Sequence, residues 1–172
     1  MFAGRLAPGS RGGDAEEATA LKRAGYQQRK TEESRSRKER KDLSDKVGDP
    51  MKIVLREYSQ PDGESIHAFS GWFVGHGTGA VGLANKIPEC AIFLSTDGVV
   101  RVLVRDQPPK TGKLGAGAEW TRIGVFDQAE RAFGWVGDNF AGEEHAAYRA
   151  AFGEAWNQAA EALGWPSPYA GD

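Results

Sequence analysis

From Lys52 to Phe126 the apolar positions mostly alternate with polar ones, and after Glu143 they recur at steps of three and four. The first pattern predicts strands and the second a helix. Lys52 to Tyr58 (KIVLREY) is rich in β-branched and aromatic residues, and the turn-forming Gln60-Pro61-Asp62-Gly63 follows it. In Ile66 to Val74 (IHAFSGWFV), Ile66, Ala68, Trp72 and Val74 share one parity while Phe69 and Phe73 share the other. These two runs predict a β-hairpin. The run AIFLSTDGVVRVLVRD predicts a second, with Asp97-Gly98 as a two-residue type I′ turn. Val100, Val102 and Val104 fall on one face of its second strand and Arg101 and Arg105 on the other, which predicts a half-buried strand. Trp120 to Phe126 reads as a further strand. Asp127, with Glu130 three residues on, is expected to cap a short helix through Phe133.

The last segment, GEEHAAYRAAFGEAWNQAAEALGWP, aligns Tyr148, Phe152, Ala155, Trp156, Ala159 and Leu163 on one stripe. Glu143 and Glu144 suit the positive end of the helix dipole, and Gly164 before Trp165-Pro166 is a stop signal with an apolar residue to fold back. The expected architecture is α+β: an antiparallel sheet of four to five strands, with a long C-terminal helix packed on one face and a short helix before it.

Composition divides the chain. Residues 1–50 hold 12 Lys+Arg against 9 Asp+Glu, while residues 51–172 hold 10 against 15 and all five Trp. The apolar surface able to offset chain entropy therefore lies after residue 50. Residues 22–41 (KRAGYQQRKTEESRSRKERK) would be polar on every side as a helix, so residues 1–50 are expected to be a disordered charged arm and 51–172 a single domain. Met51 opens the first strand-like run, and the expected working start of the protein is there. With no apolar segment near the length of a membrane span and no secretory signal, a cytoplasmic location is expected.

The stretch GWFVGHGTGAVGLAN, from Gly71 to Asn85, places Gly77, Gly79 and Gly82 at the spacing of a dinucleotide-binding turn. That reading needs a crossover helix after the glycines. Pro88 leaves only about two turns for it, and Asp97, the acidic residue at the right distance, is already committed to a hairpin turn. What remains is Gly75-His76-Gly77-Thr78-Gly79, side-chain-poor backbone whose amides are candidate anion ligands, and a second glycine-rich loop with Lys110 and Lys113. The competing explanation is close backbone contact or a plain surface loop. His76 and Thr78 form the only pair resembling a base and a nucleophile, without a visible orienting acid.

His67, His76 and His145 have no metal-ligand spacing, and neither metal nor cofactor is expected. Cys90 has no cationic neighbour in sequence and reads as a buried thiol. Trp135 and Trp165, beside glycine and proline, are expected to be partly exposed and available to a partner.

Three functions are compatible with these features. The leading expectation is a non-enzymatic protein-binding module of inhibitor or accessory type, using an acidic, aromatic-bearing surface. The second is a small enzyme or ligand binder that holds a phosphate-bearing molecule between the two glycine-rich loops. The third is nucleic-acid binding through residues 22–41, whose Lys and Arg would displace counterions from phosphate.

Overall fold

From residue 51 to residue 107 the strand signals are separated by turn signals at short intervals, which leaves no room for crossover connections, and the strands pair in the order in which they are made. The computed structural model describes residue 34 and residues 37–59, 63–81, 86–107 and 121–166. It contains β1 (Met51–Ser59), β2 (Gly63–Thr78), β3 (Ile87–Ser95), β4 (Val100–Gln107) and β5 (Thr121–Phe126). All neighbours are antiparallel, and the sheet curls until β5 meets β1 at the single pair Tyr58↔Thr121, closing a barrel. A helix over residues 37–47 is α1; α2 (Arg131–Asn139), a 3₁₀ turn (Glu143–His145) and α3 (Ala146–Leu163) follow the strands. The expected α+β fold, with antiparallel strands and a long C-terminal helix on the sheet, is present.

The chain divides into units Met1–Asp42 and Leu43–Asp172. Leu43 and Val47, which the sequence reading placed in the arm, pack against the core of the second unit, and the Gly48 carbonyl accepts the Trp72 indole N–H at 2.7 Å. Folded structure thus begins before Met51. Most of residues 1–36 lie outside the described residues.

Both faces of the sheet are covered, and each has its own core. Outside the barrel, Trp72, Val74, Cys90, Ile92, Val100, Val102 and Val104 pack under Phe152, Trp156 and the alanines of α3. Inside, Ile53, Leu55, Ala91, Leu103 and Ile123 form a smaller cluster bordered by Phe69 and Phe93. Leu103 is therefore buried on the face opposite the valines, and β4 is more buried than its alternation predicts. Cys90 is fully buried as expected, and desolvation pushes its thiol pKa well up.

Two local readings are corrected. The β3–β4 turn holds three residues, Thr96 to Gly98, inside the pair Ser95 and Val99, not two: Ser95 N–H donates to Val99 O, Gly98 N–H donates to Ser95 O, and Gly98 takes φ 87°. Asp97 accepts from the Ser95 hydroxyl at 2.5 Å, a bond that lowers its pKa. The second correction concerns α2, which begins at Arg131 with no side-chain cap. Residues 128–133 are held by i to i+3 bonds, and Asp127 pairs with Arg131 in solvent instead of capping. The end of α3 is as expected: Gly164 is left-handed, at φ 71°, and the Trp165 ring folds back to 5.1 Å from Trp156.

Candidate functional site on the inner sheet face

β2 is long because it serves two neighbours. Gly63 to Gly71 pair with β1, and Gly71 to Thr78 pair with β3. Between Phe73 and Gly75 the register shifts by one residue. An extra residue in a strand turns every later side chain to the opposite face. Phe69 and Phe73 therefore share the inner face with His76 and Thr78, while Gly75, Gly77 and Gly79 turn outward to α3.

Those three glycines are contact points for the helix backbone. A Cβ on Gly75 would lie 2.0 Å from Ala155 O, one on Gly77 2.0 Å from Ala151 O, and one on Gly79 2.2 Å from Ala147 O. Four helical residues rise about 6.0 Å and two strand residues about 6.8 Å, so every second strand residue meets every fourth helix residue. The amides between them are also engaged. His76 N–H donates to Gln158 Oε1 at 3.1 Å, Thr78 N–H to Glu154 Oε2 at 2.9 Å, and Gly79 N–H to Pro88 O at 2.8 Å.

On the inner face the pairings of β2 to β5 set three cross-strand rows: Thr78–Glu89–Arg105–Thr121, His76–Ala91–Leu103–Ile123, and Phe73–Phe93–Arg101–Val125. Glu89 is the polar centre. It is 6% exposed, and its carboxylate accepts from Arg105 Nε at 2.6 Å and lies 2.8 Å from His76 Nε2. A buried carboxylate needs such charge-assisted partners to remain ionised. His76 and Arg105 are both partly exposed, so their outer surfaces face solvent.

The third row is aromatic. The Phe73 ring lies 5.5 Å from Phe93 and 6.2 Å from His76, and Phe69 meets Phe93 edge-on at 6.1 Å. Arg101 stacks over Phe69 at 4.2 Å and donates to Ser95 Oγ, while its buried Nε has no hydrogen-bond partner. Phe73 is 47% exposed. Near the seam of the barrel Glu57 accepts the Ile123 N–H at 3.1 Å; His67 Nε2 is 3.4 Å from it, within ion-pair reach but without hydrogen-bond geometry.

Of the residues singled out from sequence, His76 and Thr78 come together on this face, and Glu89 supplies the orienting acid that the sequence did not reveal. That carboxylate is shared with Arg105, which offsets its charge. Lys110 and Lys113 lie outside the described residues. Trp135 and Trp165 are half-buried, as expected, but on the helical side: Trp135 packs edge-on against Phe126 and Phe140, and Trp165 against Trp156. The seven carboxylates of residues 127–166 are all exposed there too, against only two basic residues, Arg131 and Arg149. Among the described residues no group of three or more His, Cys, Asp and Glu side chains is placed to hold a metal ion, and no helix is long and apolar enough to cross a membrane. Comparison of the chain with protein-family models, curated proteins and solved structures returns no match.

Proposed function

We propose that this chain is a non-enzymatic protein-binding module of inhibitor or accessory type, whose contact surface is the Phe73–Phe93 part of the inner sheet face. The observation that carries this reading is Phe73 itself: a large ring half open to solvent, on a rigid strand, beside Phe93 and His76. Aromatic residues with a neighbouring Arg are the typical centre of a protein interface. Arg105 is compensated by Glu89, which leaves Arg101 as the cation of the Phe73–Phe93 row and favours a protein over a polyanion as the partner. The acidic helical layer adds long-range attraction for a basic partner.

Phe73→Ser tests this. The full chain is expected to retain a stoichiometric partner from a native extract, and the substitution to weaken that binding by at least about tenfold while leaving the melting temperature nearly unchanged. Absence of any partner, or retention unaffected by the substitution, would reject the reading.

The His76–Glu89 contact favours a second reading, a small-ligand site for a phosphate-bearing molecule with Thr78 and Arg105 as further contacts. A thermal-shift series with nucleotides and phosphosugars separates the two. At a hundred times its dissociation constant a ligand stabilises by about 2.7 kcal/mol.

A further inference from the structure

The row Phe73–Phe93–Arg101–Val125 sets one cation among apolar side chains. Phe73 and Val125, at its two ends, are 47% and 48% exposed, and Met51, in the next row through Gly71 and Ser95, is 57% exposed. Arg101 in their midst is poorly satisfied. Its guanidinium lies over the Phe69 ring, one terminal nitrogen donates to the neutral Ser95 hydroxyl at 2.8 Å, and the buried Nε has no hydrogen-bond partner. A buried donor of a charged group without an acceptor is costly. Arg105 on the same strand has the Glu89 carboxylate at 2.6 Å, whereas Asp97 acts on Arg101 only through space, from beyond the Ser95 hydroxyl that it accepts.

We infer that the partner segment bound at the Phe73 surface presents an aspartate or glutamate side chain to Arg101, with apolar residues two positions before and after it. This rests on the protein-binding reading above and adds the chemistry of the partner. A guanidinium is a planar fork that matches a carboxylate, so binding would exchange a neutral acceptor for a charged one and give the Nε its missing partner. The spacing agrees. Adjacent strands lie about 4.8 Å apart, so the midpoint of Phe73 and Phe93 stands about 7 Å from Arg101, close to the roughly 6.8 Å between alternate residues of an extended segment. Exposed apolar groups lie on both sides of Arg101, so the segment runs past the cation; a terminal carboxylate would leave one side bare. The acidic helical layer covers the outer face of the sheet, and a partner that is basic at large can still bring one carboxylate to the inner face.

Two acetylated, amidated peptides, Gly-Phe-Ser-Glu-Ser-Val-Gly and the same sequence with Gln for Glu, titrated to a few millimolar into the isotope-labelled full chain, test it by nuclear magnetic resonance. The Arg101 Nε–H and the Phe73 and Phe93 amides are expected to shift with the Glu peptide, which binds at least about fivefold more tightly than the Gln peptide. Arg101→Gln is expected to erase that difference. Asp97→Asn, which keeps an acceptor for the Ser95 hydroxyl and removes the competing charge, is expected to enlarge it. Equal affinity of the two peptides, a difference that survives Arg101→Gln, or an unmoved Arg101 Nε–H would each overturn the carboxylate contact. The comparison of peptides on the wild type decides the matter even where Arg101→Gln does not fold. The reading beneath it is decided separately, by Phe73→Ser.

Discussion

Gly77→Val is expected to destabilise the domain by about 4 kcal/mol or more, or to prevent folding. The first added carbon would stand 2.0 Å from a backbone oxygen of α3, Ala151 O, and 2.8 Å from the Ala155 nitrogen. Backbone atoms cannot rotate away as the tip of a side chain can, so the helix would have to lift. Lifting α3 separates Ala151, Phe152, Ala155, Trp156 and Ala159 from the outer face of the sheet, and withdraws Glu154 from the Thr78 amide. Gly134→Ala is the matched control. Gly134 lies in α2 with open space where a Cβ would go, so alanine there is expected to stabilise by about 0.5–1 kcal/mol through helix propensity. Urea denaturation of both variants distinguishes a glycine needed for contact from one that is merely tolerated. A wild-type midpoint for Gly77→Val would mean that α3 does not rest on β2.

That contrast also marks what the sequence makes legible. Alternation and turn residues are local, so the strands and the long helix could be read directly. The purpose of Gly75, Gly77 and Gly79 could not, because it depends on Ala147, Ala151 and Ala155, 68 to 80 residues on, and on a register shift at Phe73 that reverses the face of everything after it. A strict alternation from Phe73 would have put the glycines inside and His76 against the helix.

The candidate site was hidden for a related reason. With a two-residue turn at Asp97-Gly98, Glu89 would stand opposite Asp106, an unfavourable pair of like charges. The three-residue turn moves the register by one and sets Glu89 opposite Arg105. Charge complementarity across the hairpin was therefore a usable signal: of the two turn lengths, only one gives the glutamate a partner. The acidic residues of the second half were legible as a composition, but their concentration on the helical layer, away from the strands, was not. In the sequence Phe73 stood out only by its parity, opposite to Trp72 and Val74; its exposure follows from the end of β1, whose pairing with β2 stops at Gly71.

Glu89→Ala is expected to destabilise the domain by about 3 kcal/mol, at the low end for breaking a buried ion pair, because its partners are not fully desolvated. Arg105 and His76 keep 41% and 38% side-chain exposure, so both can turn part of their polar surface to water once the carboxylate is gone. The remaining loss comes from the Arg105 guanidinium, positioned beside buried Thr121 with its Nε acceptor removed. Removing both charges should cost much less than the sum of removing each. Glu89→Leu with Arg105→Met fills the same inner-face row with apolar volume and strands no ion, so the double variant is expected to fall within about 1 kcal/mol of the wild type. Denaturant titration of the two single variants and the double variant completes the cycle. Losses that simply add would show that Glu89 and Arg105 do not act as a pair. Near-recovery in the double variant would show that the pair contributes little net stability, which leaves Glu89 its other contact, the His76 ring that it holds beside the exposed face of Phe73.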